Sequence, residues 1–346
     1  MTSLADRITG GVDTHLDVHV AAALNRLGAL LGTETFPATA GGYRQLLRWL
    51  RRFGVVELVG VEGTGSYGAG LTRHLHSQGV RVVEVDRPNR QNRRRRGKSD
   101  VVDAIAAARA AQSGDASGQA KTRNGNVEAM RVLRLVKLSA RRSKTVALNQ
   151  MRAIVATGPE ELRAAMRDLS TAQLIARAAA LRPGRRTDVL GATKVALHHL
   201  ARRAQALDAE IADINALLEP LVAETAPDLL TADGVGTDVA SALLIAVGDN
   251  PQRLRSERTF AHLCGVAPLD ASSGKQERHR LSRAGDRQAN SALWRVVMTR
   301  IVYDPRTKLY IDRRMKEGLS KREAMRCLKR YVARELFFLL PLPRAA

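Results

Sequence analysis

The chain has 346 residues, with 56 Lys and Arg against 34 Asp and Glu, for a formal net charge of +22. Clustered positive charge of that size calls for a polyanionic partner, and nucleic acid suits it better than an acidic protein or a membrane surface. Aromatic residues make up only 3%, so base-stacking platforms of the single-strand-binding kind are not the expected main mode of recognition, and backbone electrostatics is expected to dominate.

The opening "MTSLADRITGG" has no apolar signal core, and no stretch approaches the length needed to span a bilayer. "GGVDTHLDVHVAAAL" and "ALLGTETFPAT" read as strands joined at the turn-like "NRLG", because apolar and β-branched residues alternate on either side of it. A helix in "GYRQLLRWLRRFG", a strand in "VVELVGVE", a helix in "YGAGLTRHLHSQG" and a strand in "VRVVEVD" follow. A basic loop and a helix beginning at Asp100 complete a mixed sheet flanked by helices, predicted to occupy residues 1–120.

From about residue 121 the strand signals stop. In "VALHHLARRAQALDAEIADINALLEPLV", Leu197, Leu200, Ala204, Leu207, Ile211, Ile214, Leu218 and Leu221 recur at alternating gaps of three and four, the seam of a coiled coil. "NVEAMRVLRLVKLSARRSKTVALNQMRAIV" supplies a candidate antiparallel partner, so residues 121–225 are expected to form a helical, coiled-coil segment, packed within one chain or between copies. Residues 226–346 read as a helical C-terminal domain. Within it, two apolar helices pinched around Gly234-Val235-Gly236 resemble a helix-hairpin-helix whose glycines let backbone N–H groups approach a phosphate. The two cysteines, Cys264 and Cys327, have no metal-type spacing and cannot build a disulfide framework, which fits a reduced, cytoplasmic setting.

Four acids stand out. Asp100 and Asp103 lie one helical turn apart on one face, directly after a run of arginines. A capping Asp100 and a first-turn Asp103 would explain them as helix stabilisers. Asp13, however, sits inside a strand, where a carboxylate is costly to bury without a partner, and Glu62 ends an apolar strand just before the flexible "GTGSYG". If the two strands are neighbours and the helix lies across their ends, four carboxylates meet. Such a cluster needs cations, and hard oxygen ligands select Mg²⁺ or Mn²⁺. The acids would then bind metal and the metal phosphate, with Arg87, Arg90, Arg93, Arg94, Arg95, Arg96 and Lys98 holding the rest of the polyanion. Grip of that kind is salt-sensitive, losing roughly 10³ to 10⁵ in affinity between low and moderate salt for six to ten phosphate contacts.

In order and spacing, "GVDTHLDVHVAA", "VEGTGSYG" and "GKSDVVDA" resemble the Asp-Glu-Asp-Asp motifs of the DEDD-type insertion-sequence transposases. The resemblance covers nearly the whole chain. It implies a ribonuclease H-like domain similar to the RuvC resolvase, a coiled-coil segment and a C-terminal transposase domain, with Asp13, Glu62, Asp100 and Asp103 on the family's metal-binding positions. It also implies a serine recombinase guided by a bridge RNA. The family's proline, short spacer and Ser-Gly match Pro268 and "LDASSG", which puts Ser273 at the nucleophile's position with Ser272 an adjacent rival.

A bare serine hydroxyl needs activation, and no Ser-His-Asp triad can be read nearby. The resemblance implies that metal held by the four acids assists the attack, with Lys275, Arg278 and Arg280 stabilising the added charge. Donor and target DNA, a bridge RNA and further copies of the chain, as a dimer or tetramer, are the expected partners, and no membrane is. The expected location is the cytoplasm, at the nucleoid.

Overall fold

The computed structural model describes residues 7–85, 99–116, 118–182, 188–270, 279–281 and 285–342. Its mixed α/β structure is rich in helix and divides into two compact units. The first comprises residues 1–128, 246–284 and 341–346, and the second residues 129–245 and 285–340.

The first unit is built on a six-stranded sheet. Its strands are β1 (Arg7–Thr14), β2 (Val18–Asn25), β3 (Leu30–Pro37), β4 (Val55–Glu62), β5 (Arg81–Val85) and β6 (Gly118–Gln119), in the order β3-β2-β1-β4-β5-β6. The pairs β1/β4 and β4/β5 are parallel, and the other neighbours are antiparallel. The expected single strand through "GGVDTHLDVHVAAAL" is in fact two. The chain turns at His15, whose N–H donates to the Val18 carbonyl at 3.0 Å, and the "NRLG" turn then joins β2 to β3. There the Asn25 side chain accepts from the N–H groups of Leu27 and Ala29.

Alternation along the strands sends side chains to two faces. Val12, Ala21, Ala23, Val59, Val61 and Val82 form one core with residues of helices α1 (Ala40–Arg51) and α2 (Ala69–Ser77). The other face is covered by α3 (Asp100–Ser113), where Val20 and Ala22 pack on Ala104, and Leu58 and Val83 on Ala111. Ser99 caps α3 by accepting from the Val102 N–H, Gly114 closes it in the left-handed conformation, and the interior is rich in alanine, the best helix former. Alanine also permits close approach: Gly11 and Gly60, paired in register, lie directly beneath the backbone of α3 at Ala104, Ala107 and Ala108.

The second unit is helical. It contains most of α4 (Asn126–Thr157), then α5 (Glu160–Met166), α6 (Thr171–Ala179) and α7 (Val189–Thr225). Met151, Val155, Leu162, Met166, Leu174 and Ala178 share one core with Leu197, Ala201 and Ala204. The coiled-coil seam is therefore used in part within the chain: Leu197, Ala204, Ile214 and Leu218 are buried, whereas Leu200, Leu207, Ile211 and Leu221 are half-buried. Lys144 pairs with Asp208 further along, so α4 and α7 run in opposite directions.

The short α8 (Pro227–Leu230) and α9 (Thr237–Val247) flank the Gly234 turn. After α10 (Glu257–Leu263) of the first unit, the C-terminal helices of the second unit are α11 (Arg287–Tyr303), α12 (Pro305–Lys316) and α13 (Lys321–Phe337). Arg300 on α11 binds the Glu335 carboxylate on α13 through two bonds of 2.7 Å and the Asp233 carbonyl at 2.8 Å, which anchors the turn.

Strands do not end near residue 121, as the sequence pattern had suggested. In the first unit β7 (Pro268–Asp270) and β8 (His279–Leu281) form an antiparallel pair, too short for periodicity to reveal. Among the described residues no helix is long and apolar enough to cross a membrane.

Candidate metal centre

Asp13 and Glu62 stand at the C-terminal ends of two parallel neighbours, and the register Val12 to Val61 continues to them. Gly11 and Gly60 face α3, so strand alternation turns Asp13 and Glu62 toward the same side. The N-terminal turn of α3 meets that edge and carries Asp100 and Asp103. The Thr14 hydroxyl donates to the Glu62 carbonyl at 2.7 Å and ties the two strand ends together.

Asp13 is 6% exposed and Asp103 4% exposed, whereas the Asp100 side chain is about half exposed. Burial pushes the Asp13 carboxyl above its usual pKa; His15 pulls it down, and the charges of Asp103 and Asp100 push it up again. His15 was not singled out by the sequence. Its Nε2 lies 3.1 Å from Asp13 Oδ2 and 3.4 Å from Asp100 Oδ1, so one ring bridges strand and helix. A ligand atom from each of Asp13, His15 and Asp100 falls within 4.8 Å of the others, and this is the compact group of metal-ligating side chains among the described residues. Asp103 is coupled to Asp13 through its charge and Glu62 stands at the adjoining strand end, and neither belongs to that tight group. The signal for His15 was the two-residue spacing in "DTH", weakened by the turn that begins there.

Asp100 is not the N-cap, although both acids do stand in the first turn, where negative charge favours the helix. Ser99 is the N-cap, so Asp100 can turn toward the strand edge, while the Asp103 N–H bonds to the Ser99 carbonyl at 3.0 Å. A buried carboxylate crowded by two further carboxylates and held above its normal pKa, with a histidine beside it, has chemistry that fits a divalent cation. The donors are mostly hard oxygens, and their mutual repulsion is what such an ion relieves.

Arg87, Arg90, Arg93, Arg94, Arg95, Arg96 and Lys98 lie outside the described residues, as do Ser272, Ser273, Lys275 and Arg278; the latter four fall between β7 and β8. Arg280 is on β8, with only its backbone described. Gly234 adopts φ +79, a conformation that favours glycine, and the space where a Gly236 side chain would stand is open.

Residues 10–158 match the DEDD transposase family of the IS110 type, and residues 226–312 match the family described as "Transposase IS116/IS110/IS902 family". The chain belongs to the IS110 family of transposases. The first match takes in all four acids and the second takes in Gly234, Gly236 and Ser273.

Among curated proteins, this IS110-family chain is 34% identical over 157 residues to "Insertion element IS110 uncharacterized 43.6 kDa protein" of Streptomyces coelicolor, covering 44% of this chain and 35% of that protein. It is 31% identical over 144 residues to "Insertion element IS900 uncharacterized 42 kDa protein" of Mycobacterium paratuberculosis, covering 41% of this chain and 36% of the relative. The matches thus span about a third of the length of these relatives.

Proposed function

We propose that this IS110-family protein is a DNA transposase of an insertion sequence, with a ribonuclease H-like first unit, that cleaves and rejoins strands through a covalent phosphoserine intermediate. The observation that supports the metal-dependent part of the reading is the buried Asp13 carboxylate at the end of the central strand, facing the helix turn that bears Asp100 and Asp103. The phosphoserine step rests on the resemblance of Pro268 and "LDASSG" to the family's motif. Asp13, Glu62, Asp100 and Asp103 would hold Mg²⁺ or Mn²⁺. Such an ion polarises a phosphate and offsets charge that develops on it.

The chain's own residues do the rest. Ser273 supplies the hydroxyl oxygen that bonds to phosphorus while the bond to the departing deoxyribose oxygen breaks. The serine loses its proton and the departing oxygen gains one, so one phosphodiester replaces another and rejoining needs no outside energy. Lys275, Arg278 and Arg280 stabilise the added negative charge. The arginine run from Arg87 to Lys98 and the turn at Gly234 and Gly236 grip nucleic acid backbone.

Donor and target DNA are the proposed substrates, at the nucleoid, and a bridge RNA the proposed guide. Strand exchange needs several active sites, so a dimer or tetramer is the proposed working form. The domain plan of residues 1–120, 121–225 and 226–346 belongs to the same proposal.

Recovery of covalent protein–DNA adducts from cells carrying the gene with its native flanks tests the reading. Adduct is expected from the wild type and from Ser272→Ala, and is expected to be lost in Ser273→Ala and Asp13→Asn. The carboxylate group would equally serve a nuclease that activates water. Nicking without adduct, abolished by Asp13→Asn but not by Ser273→Ala, would establish that alternative and overturn the phosphoserine step.

A further inference from the structure

Four cations converge on one carboxylate in the second unit. Arg134 Nη1 lies 3.3 Å from Asp238 Oδ1 and also donates to the Asp238 carbonyl at 2.9 Å and to Ser241 Oγ at 3.2 Å. Lys137 Nζ donates to the same Oδ1 at 2.5 Å, and Arg141 Nη1 donates to Oδ2 at 3.1 Å. From α11, Arg295 Nη1 stands 3.8 Å from Oδ2. Four positive charges against one negative leave an excess of three at the cluster.

The members divide by exposure. The Arg134 and Lys137 side chains are 5% exposed, whereas those of Arg141 and Arg295 are 51% and 32% exposed. Arg134 registers this crowding. Burial lowers its pKa, Asp238 offsets part of that, and the neighbouring Arg295 and Arg141 lower it again. Arg295 Nε is buried with no hydrogen-bond partner, a donor lacking its acceptor. Asp238 lies in the first turn of α9, and the preceding Gly236 leaves open space at that helix end, where the backbone dipole also favours an anion.

We propose that Arg141 and Arg295, at the outer rim of this cluster, bind a phosphate group of a nucleic acid backbone beside the open N-terminal end of α9. Arg134 and Lys137 are engaged by Asp238 and Ser241 and act from below by their charge. Asp238 holds the four cations in register and leaves the rim undercompensated, so the bound phosphate completes the charge balance. The site differs from a grip by glycine amides alone: its ligands come from α4 and α11, and the glycine turn supplies access. The assignment rests on the nucleic-acid reading above and adds a defined phosphate position in the helical unit.

The test is the affinity of the full-length protein for a short duplex from the insertion-sequence end, and for an RNA of the same sequence, measured by fluorescence anisotropy over a salt series. Arg141→Gln and Arg295→Gln are each expected to lower the slope of log affinity against log salt by about 1, and to weaken binding roughly tenfold at moderate salt. Arg141→Lys should restore most of the slope. The polymer on which the slope falls identifies whether the phosphate is DNA's or RNA's.

Unchanged slopes in both glutamine variants, with tight binding by the wild type, would overturn this site and leave nucleic-acid binding standing. Absence of binding by the wild type to either polymer would remove both. If Arg295→Gln melts early, Arg141→Gln alone decides, because that side chain is half exposed and makes a single bond to Asp238.

Discussion

Gly11 on β1 and Ala108 on α3 touch backbone to backbone: a Cβ added to Gly11 would stand 2.2 Å from the Ala108 nitrogen and 2.3 Å from the Ala104 carbonyl oxygen. The helix that bears Asp100 and Asp103 is therefore seated on the central strand with no side chain between them at this point. Gly60, the register partner of Gly11, provides the same clearance, since a Cβ there would meet the Ala107 carbonyl oxygen at 2.5 Å. Seating α3 this low brings its first turn to the strand ends that carry Asp13 and Glu62.

Gly11→Ala should accordingly lift or tilt α3. The atoms it would strike are backbone and cannot swing aside, so a loss at or above about 3 kcal/mol is expected, the upper part of the range for overpacked cores. Thermal unfolding followed by circular dichroism checks this. A melting temperature within about 1 °C of wild type would show that the close approach carries no energetic weight.

Asp13→Asn replaces a buried charge, crowded by Asp100 and Asp103, with a neutral side chain of the same shape. Without divalent cation at neutral pH the variant should melt higher than the wild type. Added MgCl₂ should raise the wild-type melting temperature and leave the variant's nearly unchanged. Saturation at a hundred times the dissociation constant corresponds to about 2.7 kcal/mol. An equal response of both proteins to MgCl₂ would remove Asp13 from the ion's ligands.

Ser99→Ala deletes the cap of α3 and should cost about 1 kcal/mol, whereas Ser99→Asp should retain most of it. Because Asp100 and Asp103 lie in the turn that the cap fixes, the MgCl₂-induced rise in melting temperature should shrink in the alanine variant as well. A stability loss with an undiminished MgCl₂ response would separate the cap from the acidic site.

Asp238 gives the helical unit an acid-side limit. Burial alone would raise its pKa, but the hydrogen bond and charge of Lys137, with the charges of Arg141 and Arg134, hold it below the usual aspartate value. The unfolded chain then takes up the proton first. Stability from this group is present above about pH 4 and is lost as pH falls through the lower folded value. Asp238→Asn should be less stable at neutral pH by on the order of 2–3 kcal/mol. The gap should close as pH is lowered below the usual carboxylate range. Urea midpoints of both proteins across that range provide the comparison, and a gap that stays constant with pH would contradict the assignment.

Local pattern was enough to read the extended segments that hold β1 to β5, the helix starting at Asp100, the helical middle of the chain and the four acids with their family, but not the short β6, β7 and β8. Alternation and spacing report the environment along one segment, and in β1, β4 and α3 that environment is regular. Asp13 and Glu62 were recognisable because a carboxylate in or at the end of an apolar strand breaks the pattern it sits in.

What the sequence could not express was which distant segments meet. His15 became part of the acidic site only because the turn after β1 folds its ring back between Asp13 and Asp100. The break into β1 and β2 was hidden because "HLD" continues an alternating run. Arg134, Lys137, Arg141 and Arg295 read as ordinary positive charges on helices, and Asp238 lies some hundred residues from the first three in sequence. Residue chemistry and local periodicity determined the longer elements and the candidate acids. Tertiary packing decided how close the helix sits, which histidine joins the acids and where uncompensated charge gathers, because each depends on distances between atoms far apart along the chain.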